Sequence, residues 1–314
     1  MKLKFFTLLL LSATCFLSCR KINNDPDIKQ YDEQQIQNYI AANGLNSMVR
    51  DTTNGDTTGT YYQILTPGQG ARVDYSSIVS YVYTIKSFDG KYILSDTVTN
   101  HYNGPLGYSA PPVPYGLTFA IRNNLKYLGG KMRVLVPSRL AFGKNGYGTG
   151  SNTLTSGRIA GNQCLDVTVN LIAKQGDYDQ LVIKNYMAAN NLTGYSEIKL
   201  GTDTGLWYKI TTPPTGTTTI NDNSTISMTY SIYLMNNTNP ESTNGTASTI
   251  TISDIASGGY AEGFIKGLRL LGKGGGAISI IVPSALAYGT SAFGTVPANS
   301  CLRWDISNVT VTNQ

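Results

Sequence analysis

Charged side chains are scarce in this chain, at 14% of 314 residues, and the net balance is only +5 at pH 7. No run of Lys or Arg interleaved with aromatics occurs, so the electrostatic footprint that phosphate backbones require is missing and no nucleic-acid partner is expected. Histidine occurs once, at His101, and there is no Cys-x-x-Cys pair, which argues against a structural or catalytic zinc site; no metal and no cofactor are expected. No Ser/His/Asp or paired-carboxylate constellation stands out for nucleophilic or acid-base work. Four cysteines are present, and two of them, Cys15 and Cys19, fall at the N-terminus. The other two, Cys164 and Cys301, each precede a leucine that opens a strand-like run, and read as small buried core residues rather than a disulfide. The apolar stretch from Phe5 to Leu17 is shorter than the roughly 20 residues that a bilayer-spanning helix needs.

Glycine (33) and tyrosine (21) are plentiful beside Thr, Ser and Asn, a composition that favours strands and turns over long helices. The length exceeds the roughly 100 to 200 residues of a usual single domain, so two domains are expected. At the N-terminus, Lys2 and Lys4 precede the apolar stretch and Ser18-Cys19 follows it, the layout of a secretory signal. Phe16-Leu17-Ser18-Cys19 resembles a bacterial lipobox, in which the cysteine becomes the lipidated first residue, although Phe16 stands where leucine is usual; an ordinary cleaved signal is the alternative. The expectation is a signal peptide over residues 1–18, a tether over 19–30, and a membrane anchor through Cys19. That describes a lipoprotein of the cell envelope, held at the outer membrane and facing the periplasm or the surface.

Self-similarity organises the rest. Tyr31-Asp32 through Asn43-Gly44-Leu45 recurs 147 residues later as Tyr178-Asp179 through Asn190-Asn191-Leu192. Ile36, Tyr39 and Ile40, and likewise Ile183, Tyr186 and Met187, recur at helical spacing, so each half opens with a short amphipathic helix. Gly44 and Asn191 end these helices, the two residue types that best tolerate a left-handed C-terminal position. Val136-Pro137-Ser138-Arg139-Leu140-Ala141-Phe142-Gly143 recurs 146 residues later as Val282-Pro283-Ser284-Ala285-Leu286-Ala287-Tyr288-Gly289. The spacing shortens to 137 at Cys164-Leu165 against Cys301-Leu302, which places extra residues of the first half between Lys144 and Asn162. Alternating runs such as Ser77–Tyr83 and Ser224–Tyr230 predict half-buried strands. Gly263–Leu271 carries Phe264, Ile265, Leu268 and Leu271 on one helical face. Each half is therefore expected to be α+β, an antiparallel sheet with a short helix across it, over 31–174 and 175–314.

In the second half, Gly263-Phe264-x-x-Gly267-Leu268, the glycine turn Gly272–Gly276, Ile280-Ile281-Val282-Pro283, Leu286-Ala287-Tyr288-Gly289 and Val296-Pro297-Ala298-Asn299-Ser300-Cys301-Leu302 follow one another in the order and spacing of the FKBP-type peptidyl-prolyl isomerases. This half, and more weakly the first, resembles that family, which makes the chain similar to a tandem-domain bacterial lipoprotein of the group. The resemblance implies a curved antiparallel sheet and a shallow apolar pocket for the proline of a polypeptide. It implies that Tyr230, Phe264, Tyr288 and Trp304 line the pocket, that Tyr260 and Ala261 precede the helix where a backbone N–H meets the substrate carbonyl, and that Phe293 overhangs the pocket. The Phe-Asp pair usual in the family is not recognisable between Glu241 and Ile252, leaving one wall and its bracing acid without a candidate. In the first half the equivalents read Tyr81, Ile121 and Phe142, which lacks the floor aromatic and the loop hydroxyl and implies an impaired copy.

Rotation about an Xaa-Pro bond meets a barrier of roughly 18 to 20 kcal/mol without breaking any bond. A dry apolar slot and one hydrogen bond to the carbonyl suffice, so the lack of a nucleophile or base is compatible with such an activity. Periodicity alone makes Phe264, Trp304 and Tyr230 plain core aromatics, whereas Tyr288 lies in a loop where packing has less reason to require a phenol. Gly272–Gly276 lacks Gly-Lys-Ser/Thr and reads as a turn, not a phosphate cradle; Phe88-Asp89-Gly90 reads as turn chemistry, and His101 as a solvated loop residue. Three functions stay open: an isomerase assisting the folding of exported, proline-containing polypeptides, a non-catalytic polypeptide-binding module, and a surface glycan-binding lipoprotein.

Overall fold

A computed structural model describes residues 27–53, 55, 58–149, 157–199, 201, 204–254 and 260–313; Cys19 lies outside them. Strands β1 (Val49–Arg50), β2 (Tyr61–Thr66), β3 (Ile78–Ser87), β4 (Ile93–Leu94), β5 (His101–Pro105), β6 (Lys131–Val136) and β7 (Leu165–Leu171) build one sheet in the order β1-β2-β6-β7-β3-β4, with β5 also paired to the long β3. Strands β8 (Ser196–Glu197), β9 (Trp207–Thr212), β10 (Ser224–Leu234), β11 (Glu241–Ser242), β12 (Ser248–Thr251), β13 (Ala277–Val282) and β14 (Leu302–Asn313) repeat that order as β8-β9-β13-β14-β10-β11, with β12 also on β10. Every pairing in both is antiparallel. Each half is α+β and carries one helix across the sheet: α2 (Tyr115–Ala120) in the first and α4 (Glu262–Leu271) in the second.

The strands form because their apolar residues alternate, so one face of each sheet is buried under the helix. On α4, Phe264, Ile265, Leu268 and Leu271 are buried and meet Ile278, Ile280, Trp304 and Ile306 of the sheet. Small residues let the helix approach: a side chain at Gly263 would meet Val282 Cγ1 at 2.7 Å, and one at Gly116 would meet Val136 Cγ1 at 2.5 Å. These two contacts also register α2 on α4, with Gly116 as the counterpart of Gly263.

Helices α1 (Ile28–Ala42) and α3 (Gln175–Ala189) lie on the opposite face of their sheets. The helix α1 takes in residues 28–30 of the expected tether, because nothing after Pro26 resists helix. Both end as expected, with Gly44 and Asn191 at φ of 64° and 52°. A buried acid pins each one. Asp32 accepts from the Arg139 backbone N–H (3.3 Å) and guanidinium (3.2 Å), and Asp179 from the Ser284 N–H (2.8 Å) and hydroxyl (2.7 Å). Burial raises the Asp179 pKa from its ordinary value against the pull of these hydrogen bonds, and the acid is kept because those donors would otherwise be buried unpaired. Cys164 and Cys301 are free and buried.

The halves touch through the β4–β5 loop and β5 of the first, which rest on α3. Val98 packs against apolar side chains of the second half, and Asn236 Nδ2 donates to Asp96 Oδ2 at 2.6 Å. His101 is here and not in a solvated loop: it sits in β5, edge-on to Tyr178 and 2.7 Å from Ser80 Oγ. Among the described residues no helix is long and apolar enough to cross a membrane.

Candidate functional site

Between the N-terminus of α4 and the exposed ends of β10 and β14, the second half holds a cavity of about 210 Å³ lined by Tyr230, Ile232, Glu241, Tyr260, Ala261, Phe264, Tyr288, Phe293 and Trp304. All seven residues singled out in this half from the sequence are brought together there. Strand pairing explains part of this. Ile232 faces Trp304 and Tyr230 faces Ile306 across β10 and β14, so the two-residue period puts Tyr230, Ile232 and Trp304 on the helix side. Phe264 and Trp304, each 2% exposed, form the floor with ring centroids 6.0 Å apart. Tyr230 meets Phe264 edge-on at 5.6 Å. The rim is more open: Tyr260 and Phe293 are 38% and 45% exposed. Phe293 stacks on Tyr288 at 4.3 Å, in the loop that the Asp179–Ser284 bonds fix.

Ala261 precedes α4 with an extended backbone (φ −65°, ψ 137°), and its N–H makes no backbone hydrogen bond among the described residues. Such an N–H at a helix start is a ready donor for a ligand carbonyl. Glu241 is the residue that sequence reading missed. The Tyr230 hydroxyl donates to Glu241 Oε1 across the β10–β11 hairpin, so a carboxylate braces this phenol from a Pro240-Glu241 pair that does not resemble the Phe-Asp pair looked for in the sequence. A search for an acid eleven residues after Tyr230, where the hairpin returns, finds it. Burial, and then this bond, hold the Tyr230 phenol well above its ordinary pKa; burial likewise raises Tyr288, and Glu241 adds to it. Both phenols are therefore neutral at physiological pH and act as polar, uncharged rim groups.

The first half is different, and its register corrects two equivalences. Tyr83, not Tyr81, faces Val169 as Tyr230 faces Ile306. Leu117, next to Gly116, is the counterpart of Phe264, whereas Ile121 corresponds to Leu268. Phe142 does match Tyr288: it stacks on Tyr147 at 4.9 Å, as Tyr288 does on Phe293. Val167 pairs with Val134 as Trp304 pairs with Ile280, so the floor is aliphatic. Val113, Pro114 and Leu94 stand where the second half has Tyr260, Ala261 and Glu241, and Pro114 has no N–H to donate. Tyr83, Val113, Leu117 and Val167 are all at most 7% exposed, and the buried Tyr92 lies beside Tyr83 and Tyr147. The corresponding space is core.

A larger recess of about 340 Å³ lies on the opposite face of the second sheet. Its Tyr195, Ser279, Asp305 and Arg303 side chains are bonded to one another in series, so these four satisfy one another. Among the described residues no group of three or more His, Cys, Asp or Glu could hold a metal ion.

Residues 216–308 match a family model described as FKBP-type peptidyl-prolyl cis-trans isomerase. No match was found among curated proteins. Solved structures that resemble the chain include the three FKBP domains of wheat FKBP73 (16% identity, 86% of this chain and 100% of that one, TM-score 0.34). FkpA from Escherichia coli is similar at 20% identity over 55% of this chain and 68% of that one, with a TM-score of 0.33. A peptidyl-prolyl cis-trans isomerase from Pseudomonas syringae is similar at 24% identity over 48% and 98%, with a TM-score of 0.34.

Proposed function

We propose, from the match of residues 216–308 to the FKBP-type peptidyl-prolyl cis-trans isomerase family, that the slot between α4, β10 and β14 is a catalytic site and that the chain assists the folding of exported, proline-containing polypeptides in the cell envelope. The observation that carries this reading is the slot itself: two buried aromatic rings form an apolar floor beneath the free N–H of Ala261. A proline ring seated on Phe264 and Trp304 leaves water, and the preceding carbonyl meets Ala261 N–H. The twisted amide is less polar than the planar one, so a dry floor stabilises it selectively. Tyr230, Tyr260, Tyr288 and Phe293 close the sides. The first half, whose corresponding space is filled, serves as a scaffold against α3.

The test uses the chain without its first 19 residues and a peptide whose proline isomerisation limits a measured signal. Tyr260→Ala combined with Phe293→Ala removes two exposed rim rings and leaves the floor in place. The wild type accelerates isomerisation, and the double variant loses about tenfold in kcat/KM, equivalent to about 1.4 kcal/mol of transition-state binding. No acceleration by the wild type at micromolar concentration abandons catalysis for a second reading, a polypeptide-binding module. That reading is favoured by the absence of a wall aromatic beside Glu241 and by the filled first copy.

The anchor in this proposal is lipid on Cys19, at the outer membrane, supported by the Phe16-Leu17-Ser18-Cys19 pattern. Cells fed a labelled fatty acid incorporate label into the wild-type chain and not into Cys19→Ala. Equal labelling of both sinks the anchor.

A further inference from the structure

We propose that Glu241 makes the slot selective for proline segments in which lysine or arginine flanks the proline, an inference that rests on the slot receiving proline-containing polypeptide. Of the nine residues around the cavity, Glu241 alone carries a formal charge. It is exposed at the mouth, and Tyr230 occupies Oε1, which orients the carboxylate and leaves Oε2 free to face a ligand. It forms no ion pair among the described residues. Three cations of this half are engaged elsewhere: Lys266 with Glu262, Arg269 with Asp222 and Arg303 with Asp305. The charge at the mouth is therefore left for a partner to neutralise, and the Tyr230 bond holds it in position before the partner arrives.

Size and reach decide which ligand residue feels it. A cavity of about 210 Å³ takes a proline without room for a second large side chain, and adjacent residues of an extended chain follow at roughly 3.3 to 3.6 Å each. The side chains flanking the proline therefore emerge at the rim. A lysine or arginine there lays its apolar stem along Tyr260 and Phe293 while its charge reaches Glu241, and the same two rings offer faces to a cation. The first half has Leu94 in place of Glu241, within a filled space, so the feature belongs to the open slot alone.

The experiment compares peptides identical except for Lys, Ala or Glu beside the proline, placed before it in one series and after it in another. For each, kcat/KM and Kd are measured with the chain from residue 20 onward and with Glu241→Gln, whose amide oxygen still accepts the Tyr230 hydroxyl. In about 50 mM salt the wild type favours Lys over Glu by about tenfold in at least one series, the range expected for an oriented rim charge that attracts one peptide and repels the other. The ratio falls to about twofold in about 0.5 M salt, and close to one in Glu241→Gln, with the Ala peptide as reference. A wild-type ratio near one in both series, or a ratio that survives Glu241→Gln, overturns the proposal. Selective binding without isomerisation of any peptide removes the catalytic reading and leaves the selectivity standing. Failure to bind any of the peptides removes both.

Discussion

Truncating Trp304 to alanine is expected to cost the second half about 3 to 5 kcal/mol of stability and to lower isomerisation per folded molecule by about two orders of magnitude. Trp304 is 2% exposed, lies between Ile232 and Ile280 on the neighbouring strands, and faces Phe264. Deleting a buried ring removes its transfer free energy and leaves a cavity that a paired strand cannot collapse to fill. The same atoms form half of the floor, so the site loses the dry surface on which a twisted amide is favoured. Trp304→Phe restores most of both effects, since phenylalanine keeps an apolar ring. The counterpart change in the first half, Val167→Ala, costs about 2 kcal/mol by loss of two buried carbons and leaves isomerisation unchanged. Urea unfolding beside the peptide assay, with the folded fraction measured by circular dichroism, separates the two quantities. Isomerisation of the folded Trp304→Ala variant at the wild-type rate would move the site elsewhere.

Acid is expected to loosen the chain at His101. Burial depresses its pKa to about 4 from the ordinary 6.5. The folded chain therefore favours neutral imidazole: its contribution is fully present above pH 6.5 and is lost as pH falls through 4, amounting to about 3 kcal/mol at about 1.4 kcal/mol per pH unit. The ring has little alternative to neutrality. Ser80 Oγ donates to Gln175 Oε1 (2.8 Å), so it accepts from His101 Nε2–H, and Gln175 Nε2 in turn donates to Asp179 Oδ1 (2.8 Å). Tyr178 and Asp179 share the small recess around His101. Asp179 works in the opposite direction, because a raised carboxylate pKa makes its charged form unfavourable near neutrality and relieves that cost as pH falls. His101→Gln keeps a donor to Ser80 and has no titration, so the difference between wild type and variant isolates the histidine. Urea midpoints at pH 7 and pH 4.5 should diverge between the two proteins; parallel pH slopes refute the assignment.

The residues that misled sequence reading are informative. Tyr81 and Tyr83 are two apart on one strand, and Ile121, in the π-helical turn that continues α2, is four residues past Leu117, so each pair shares a face. Periodicity accepts either member. Only the pairing of β3 with β7, and the contact of Gly116 with Val136, decide that Tyr83 and Leu117 match Tyr230 and Phe264. Glu241 was invisible for a related reason: its role comes from the hairpin that folds β11 back on β10, and glutamate behind a proline does not resemble the pair usual in the family.

The seven residues around the second slot were implied by a family resemblance; strand alternation, the two opening helices with Gly44 and Asn191 at their ends, and the repeat follow from the sequence by itself. They depend on spacing of a few residues and on local backbone preference, which are written in the chain. The brace of Tyr230 by Glu241, the filling of the first slot around Tyr92, and the burial of His101 against α3 were decided by tertiary structure. Each depends on which groups are taken from water together and left to satisfy one another, and that is set by side chains brought together from separate elements.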